Sequence, residues 1–155
     1  MVRVIFVCLG NICRSPMAEA IFRKKVQDAG IEKEVFIDSA GTGDWHIGKV
    51  PHEGTRTILE RYKISYEGIK ARQVTEADVQ DFDYIVAMDA DNVRDLQAIA
   101  QSKKAEINRL LSFHPNAEIF DVPDPYFTGN FEEVYELIDK SCDGLLAHIR
   151  NCEGI

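Results

Sequence analysis

Cys8 and Arg14 stand six residues apart in the run Val7-Cys8-Leu9-Gly10-Asn11-Ile12-Cys13-Arg14-Ser15-Pro16. A thiol attacks only as its thiolate, and an ordinary cysteine is scarcely ionised at neutral pH. A nearby guanidinium and inward-facing backbone amides favour the anion. Arg14 also offers a planar fork that holds two oxygens of a tetrahedral oxyanion. The pair predicts a sulfur nucleophile beneath a bound phosphate-like group, working without a metal.

The flanking residues must place these groups. The apolar run Val2–Val7 reads as a buried strand, and Met17–Ala29 carries apolar residues at helical spacing. The stretch between them is a tight loop from strand to helix. Ser15 suits an N-cap and Pro16 the first helical position, while Glu19 falls one position too late for a capping box. The first amides of a helix lack internal partners and face back into such a loop. Gly10 and Asn11 tolerate positive φ, which turns successive N–H groups toward one centre. A nest of this kind at a helix N-terminus binds an anion, with Cys8 at its floor.

Cys8 to Pro16 resembles the phosphate loop of the low-molecular-weight protein tyrosine phosphatases. Cys-x5-Arg alone is a weak signal. The flanking Gly10-Asn11 and Ser15-Pro16, the preceding strand and the N-terminal placement make it specific. The resemblance implies Cys8 as nucleophile, with Leu9, Gly10, Asn11, Ile12, Cys13, Arg14 and Ser15 around the phosphate. It also implies that Asn11 holds the loop's backbone, that Ser39 hydrogen-bonds to it, and that Ser15 donates to the Cys8 sulfur and helps it leave. Cys13 would lie near enough to trap an oxidised Cys8 as a reversible disulfide.

A departing oxygen needs a proton donor. In Val122-Pro123-Asp124-Pro125-Tyr126, two prolines fix their own φ and bias the residues before them toward extended conformations. Asp124 is thus presented on a stiff loop; alone it reads as an ordinary Asp-Pro turn. Beside the phosphate loop, Asp124-Pro125-Tyr126 resembles the family's general-acid segment. Tyr126 and Phe127 would wall the cleft on one side and Trp45 on the other, a slot suited to a flat phenyl phosphate. Family members often carry a second tyrosine where this chain has Phe127. Vertebrate members also carry a structural histidine just before the segment matching Ala71-Arg72-Gln73, and this chain has none there.

The 155 residues suit one domain spanning the whole chain, with a real core. No apolar run is long enough to span a membrane, and because Met1-Val2-Arg3 runs straight into the first strand, no signal peptide is expected. A cytoplasmic protein is expected. The net charge of −8 argues against nucleic acid and anionic membranes as partners. Tyrosine-phosphorylated proteins or peptides are the expected substrates and inorganic phosphate the product. Cys8, Cys13, Cys142 and Cys152 show no zinc-ligand spacing, and His46, His52, His114 and His148 read as loop or surface residues. No cofactor is expected.

Strand and helix signals alternate. A strand is expected at Val35–Ile37 with a loop from Asp38, a helix over roughly 53–63 and a helical turn at Thr75 to Val79. A strand follows at Asp83–Met88, then a helix over roughly 90–100 capped by Asp89. Ile107 to Phe113 is ambiguous by its pattern, and the resemblance implies a short fourth strand there. A final helix carries Phe131, Val134, Tyr135, Ile138, Cys142, Leu145, Leu146 and Ile149 on one stripe. This order implies parallel pairing with right-handed crossovers. The resemblance implies a three-layer α/β/α fold whose parallel sheet runs 2-1-3-4, the phosphotyrosine phosphatase I-like fold.

Rival readings share parts of this pattern. A thioredoxin-coupled arsenate reductase needs resolving cysteines in mid-chain, and none lies between Cys13 and Cys142. An arginine phosphatase carries threonine at the position of Ile12. Phosphocysteine carrier domains of sugar phosphotransferase systems lack counterparts of Arg14 and the Asp124 segment. A non-catalytic phosphate binder has no use for Cys8 and Asp124 together.

Overall fold

In the computed structural model, which describes residues 1–100 and 106–155, four strands form one parallel sheet ordered β2-β1-β3-β4. The strands are β1 (Val2–Cys8), β2 (Val35–Gly41), β3 (Tyr84–Ala87) and β4 (Glu106–Arg109). Between and after them come α1 (Arg14–Asp28), α2 (Glu53–Arg61), α3 (Glu76–Asp81), α4 (Ala90–Ile99), α5 (Pro125–Thr128) and α6 (Phe131–Glu153). The central strand β1 is apolar at nearly every position because both of its faces are covered. Val4 and Phe6 pack with residues of α1 and α6, such as Phe22, Ile138 and Leu145. Ile5 and Val7 point the other way, onto Val79 of α3 and Leu96 of α4. The result is a three-layer α/β/α sandwich.

Parallel strands put their C-terminal ends on one edge, and ligands bind there where the strand order switches. Cys8 ends β1 and is in register with Gly41, while Val7 is in register with Ala87 of β3. The phosphate loop therefore emerges between its two neighbouring strands.

Several boundaries differ from the sequence reading, each for a local reason. β2 continues through Asp38–Gly41 because the end of β1 supplies a partner for each of those residues. α1 begins at Arg14, so Ser15 is inside the helix and Cys13 holds the cap position with no side-chain bond. The Ser15 hydroxyl is engaged by the loop instead, and Pro16 still lies among the first residues, whose amides need no helical partner. Residues 110–113 form a 3₁₀ turn rather than extending β4. Residues 125–128 form the short helix α5, for which Asp124 is the N-cap. Of the α6 stripe, Phe131 and Leu146 are only half-buried, while Val134, Tyr135, Ile138, Cys142, Leu145 and Ile149 are core.

Candidate active site

The loop between β1 and α1 is shaped by where its carbonyls bond. The Cys8 carbonyl accepts from Thr42 N at 2.9 Å and the Leu9 carbonyl from Gly43 N at 2.9 Å. The Ile12 carbonyl accepts from His52 N at 2.7 Å, and the Cys13 carbonyl from Thr55 Oγ1 at 3.1 Å. A trans peptide points its N–H opposite to its C=O. The amides of Leu9, Gly10, Cys13 and Arg14 are thus turned away from this surrounding scaffold, toward the loop's centre. Asn11 completes the turn at φ 55°, and its amide donates to Cys8 Sγ at 3.3 Å. Gly10, against expectation, is not at positive φ; its lack of a side chain serves packing, since a Cβ there would lie 3.1 Å from the ring of His46.

The support beneath the loop is buried and polar. Asn11 Nδ2 donates to Ser15 Oγ at 2.7 Å and to Ser39 Oγ at 3.0 Å. Asn11 Oδ1 accepts from the Arg72 amide at 3.0 Å. Ser15 Oγ lies 3.0 Å from Cys8 Sγ. The Ser39 hydroxyl donates to Glu19 Oε1 at 2.6 Å, and Glu19 is also paired with Arg23. Burial pushes the Glu19 carboxyl above its ordinary range, opposed by Ser39 and Arg23. Among the described residues, no histidine side chain takes part in this support.

Arg14 is only 2% exposed. Its Nη1 donates to Asp89 at 2.7 Å and to the Val122 carbonyl at 3.0 Å, while Nη2 lies 3.4 Å from Asp124 Oδ2. Its Nε has no partner among the described residues. Burial works against the charge, yet Cys8, Asp89 and Asp124 together hold the guanidinium above its ordinary range. Asp89 serves twice, since its other oxygen caps α4 through the Asn92 amide at 2.8 Å.

Val122 N bonds the Met88 carbonyl at 2.9 Å, which pins the segment carrying Asp124 to the end of β3. One Asp124 oxygen accepts from Tyr126 N at 3.1 Å, and the other faces Arg14. Cys8, Leu9, Gly10, Ile12, Cys13, Arg14 and Asp124 line one cleft with Trp45, His46, Tyr126 and Phe127. Trp45 lies over Gly43, where any Cβ would strike its ring. Tyr126 is braced edge-on by His52 and Phe127. His52 also caps α2 through the Gly54 amide and stacks on Phe131. Burial raises the Cys13 thiol to about 12, helped by Cys8 and Asp124, so it stays protonated. Among the described residues, no group of three or more His, Cys, Asp or Glu converges to hold a metal ion.

Every residue singled out from the sequence lines this cleft or supports it. Glu19, Arg72, His46 and His52 were missed. Asp89 was legible as a helix cap at the end of a strand, on the ligand-binding edge, but its bond to Arg14 was not.

A thiol ringed by inward amides, with a buried guanidinium beside it and a carboxyl on the same cleft, defines a class of protein that takes a phosphoryl group onto cysteine. The sequence matches the low molecular weight phosphotyrosine protein phosphatases over residues 3–153, and the chain belongs to that family. The low molecular weight protein-tyrosine-phosphatase YfkJ of Bacillus subtilis is 56% identical over 97% of both chains. Its crystal structure superposes with a TM-score of 0.95, covering 97% of this chain and 96% of that one. PtpA of Staphylococcus epidermidis, with the same designation, is 49% identical over 96% of this chain and 94% of its own. The structure of a Drosophila arginine phosphatase is also similar, at 34% identity and a TM-score of 0.87, covering 95% of this chain and 97% of its own.

Proposed function

We propose that this chain acts as a single domain, residues 1–155, that hydrolyses phosphotyrosine and other aryl phosphates through a cysteinyl-phosphate. Cys8 thiolate attacks phosphorus in line with the ester oxygen; the S–P bond forms as the P–O bond breaks. Asp124, protonated at the start, gives its proton to the departing oxygen. The loop amides and Arg14 hold the equatorial oxygens where charge is displayed in the transition state. Water then attacks the cysteinyl-phosphate with Asp124 as base, Ser15 steadies the leaving sulfur, and inorganic phosphate is released. Leu9, Gly10, Ile12 and Cys13 line the cup, and Asn11 and Ser39 keep its shape. Trp45, Tyr126 and Phe127 receive the aryl ring.

The observation that carries this reading is the convergence of Cys8, Arg14 and Asp124 on one cleft with an aromatic rim. Tyrosine-phosphorylated proteins or peptides fit such a slot, and the charge of −8 disfavours nucleic acid. Among the described residues no helix is long and apolar enough to cross a membrane. All four cysteines are free, which suits a reducing compartment such as the cytoplasm. The test is release of phosphate from p-nitrophenyl phosphate in the presence of a chelator. The wild type should turn over. Cys8→Ser should bind phosphate without turnover, and turnover by that variant would overturn the nucleophile.

A further inference from the structure

We propose that Arg72 is a positioning residue for this reaction: its ion pairs with Asp38 and Asp78 hold the phosphate loop in its turn at Asn11. The proposal rests on the phosphatase reading above.

Asn11 is held at φ 55°, a left-handed conformation that asparagine tolerates better than most residues and that its side-chain bonds pin in place here. Two of its side-chain bonds go to Ser15 and Ser39, and the third comes from the Arg72 amide at 3.0 Å. Arg72 lies in an irregular segment laid along the end of β2. Gly41 N donates to the Arg72 carbonyl and Val74 N to the Gly41 carbonyl, each at 2.8 Å. Gly41 in turn presses on the loop: a Cβ there would stand 2.8 Å from the Leu9 carbonyl oxygen and 3.1 Å from Asn11 N. The position of this segment therefore reaches the loop twice, through Asn11 and through Gly41.

The segment is held by backbone bonds to Gly41, Gly48 and Lys49 and by the isolated bridge between Gly41 and Gln73. The guanidinium adds a side-chain tie to two further elements. Nε and Nη2 reach Asp38 Oδ2 at 3.1 and 2.9 Å, while Nη1 and Nη2 reach the two oxygens of Asp78 at 2.8 and 3.1 Å. Asp38 belongs to β2, and Asp78 closes the capping box of α3 with Thr75. One planar fork thus ties β2 to α3 across the segment that braces the loop. A lysine brings a single nitrogen and cannot span both carboxylates in this way.

The experiment compares Arg72→Ala and Arg72→Lys with wild type by three readouts. These are the melting temperature, the kcat/KM for a phosphotyrosine peptide, and the rate of phosphate-protectable alkylation of Cys8 by iodoacetate at mildly acid pH. Both variants should alkylate more slowly and lose about 10–10²-fold in kcat/KM, the range for a displaced catalytic group. If Arg72→Ala does not fold, Arg72→Lys decides by the same readouts. A lowered melting temperature with alkylation and kcat/KM unchanged would leave Arg72 a stabilising residue only and overturn the proposal. Alkylation needs no turnover, so inactivity of the wild type would count against the phosphatase reading and leave this test standing.

Discussion

Ser15 Oγ stands 3.0 Å from Cys8 Sγ, and both side chains are buried. The same oxygen accepts from Asn11 Nδ2 at 2.7 Å, which leaves its own proton for an acceptor. The alternative acceptor, the Ala40 carbonyl, is farther away at 3.5 Å. A thiolate at Cys8 would accept a hydrogen bond from that hydroxyl, and so would the sulfur that leaves the cysteinyl-phosphate. Ser15→Ala should slow the second step about 10–10²-fold, the worth of a hydrogen bond to a charged group. Rapid-mixing kinetics with p-nitrophenyl phosphate should show a burst of nitrophenol larger than in the wild type. No change in the burst would remove Ser15 from the second step.

Asp124 is both the N-cap of α5 and a carboxyl on the cleft. The cap occupies one oxygen, at 3.1 Å from Tyr126 N, and so aims the other inward. Asp124→Ala should lower kcat about 10²–10⁴-fold for phosphotyrosine, the usual range for general acid catalysis. The loss should shrink for an aryl phosphate whose leaving group is acidic enough to depart unprotonated. Equal losses across a leaving-group series would argue against Asp124 as the acid.

The residues proposed to do the chemistry were readable because the phosphate loop and the acid segment are each contiguous. Cys8 to Ser15 carries a strand end, a nest and a helix start in eight residues. The supports were not readable, because they depend on side chains that meet only after folding. Glu19 is separated by 20 positions from Ser39, and Arg72 by 61 from Asn11. In sequence, Glu19 is one more charge on an amphipathic helix, and Arg72 one more charged residue in a loop. Ser15 misled as an N-cap because its hydroxyl answers to Cys8 and Asn11 rather than to α1's own amides. The early end assigned to β2 has a similar cause: Asp38-Ser39-Ala40-Gly41 has turn composition, and pairing with β1 overrides it.

Glu19 gives a pH dependence whose sign can be worked out. Its folded-state pKa is raised above the ordinary 4.5, chiefly by burial. The folded protein therefore binds more protons than the unfolded chain as pH climbs through that interval. The associated stability is complete below about 4.5 and is lost as pH rises through the folded value. Glu19→Gln removes the titration, so its melting temperature should gain on the wild type across that interval and then hold a constant offset. A pH-independent difference between the two melting curves would show that Glu19 titrates alike in both states.

Ile12 is the residue expected to set which phosphorylated side chain the cleft prefers. It is 8% exposed, lines the cleft, and packs with Cys13 and Ala71. A branched apolar wall suits the face of a phenyl ring. A phosphoarginine guanidinium brought against it would lose water from N–H groups and find no acceptor there, which is the costlier mismatch. Overall fold does not discriminate, since the Drosophila arginine phosphatase is similar in structure throughout. The wild type should favour phosphotyrosine over phosphoarginine in kcat/KM. Ile12→Thr supplies a hydroxyl and removes apolar surface, and should narrow that ratio about 10–10²-fold, the usual worth of one such contact. Parallel assays of both phosphoamino acids in matched peptides measure it. A wild-type preference for phosphoarginine, or a ratio untouched by Ile12→Thr, would take specificity away from this wall.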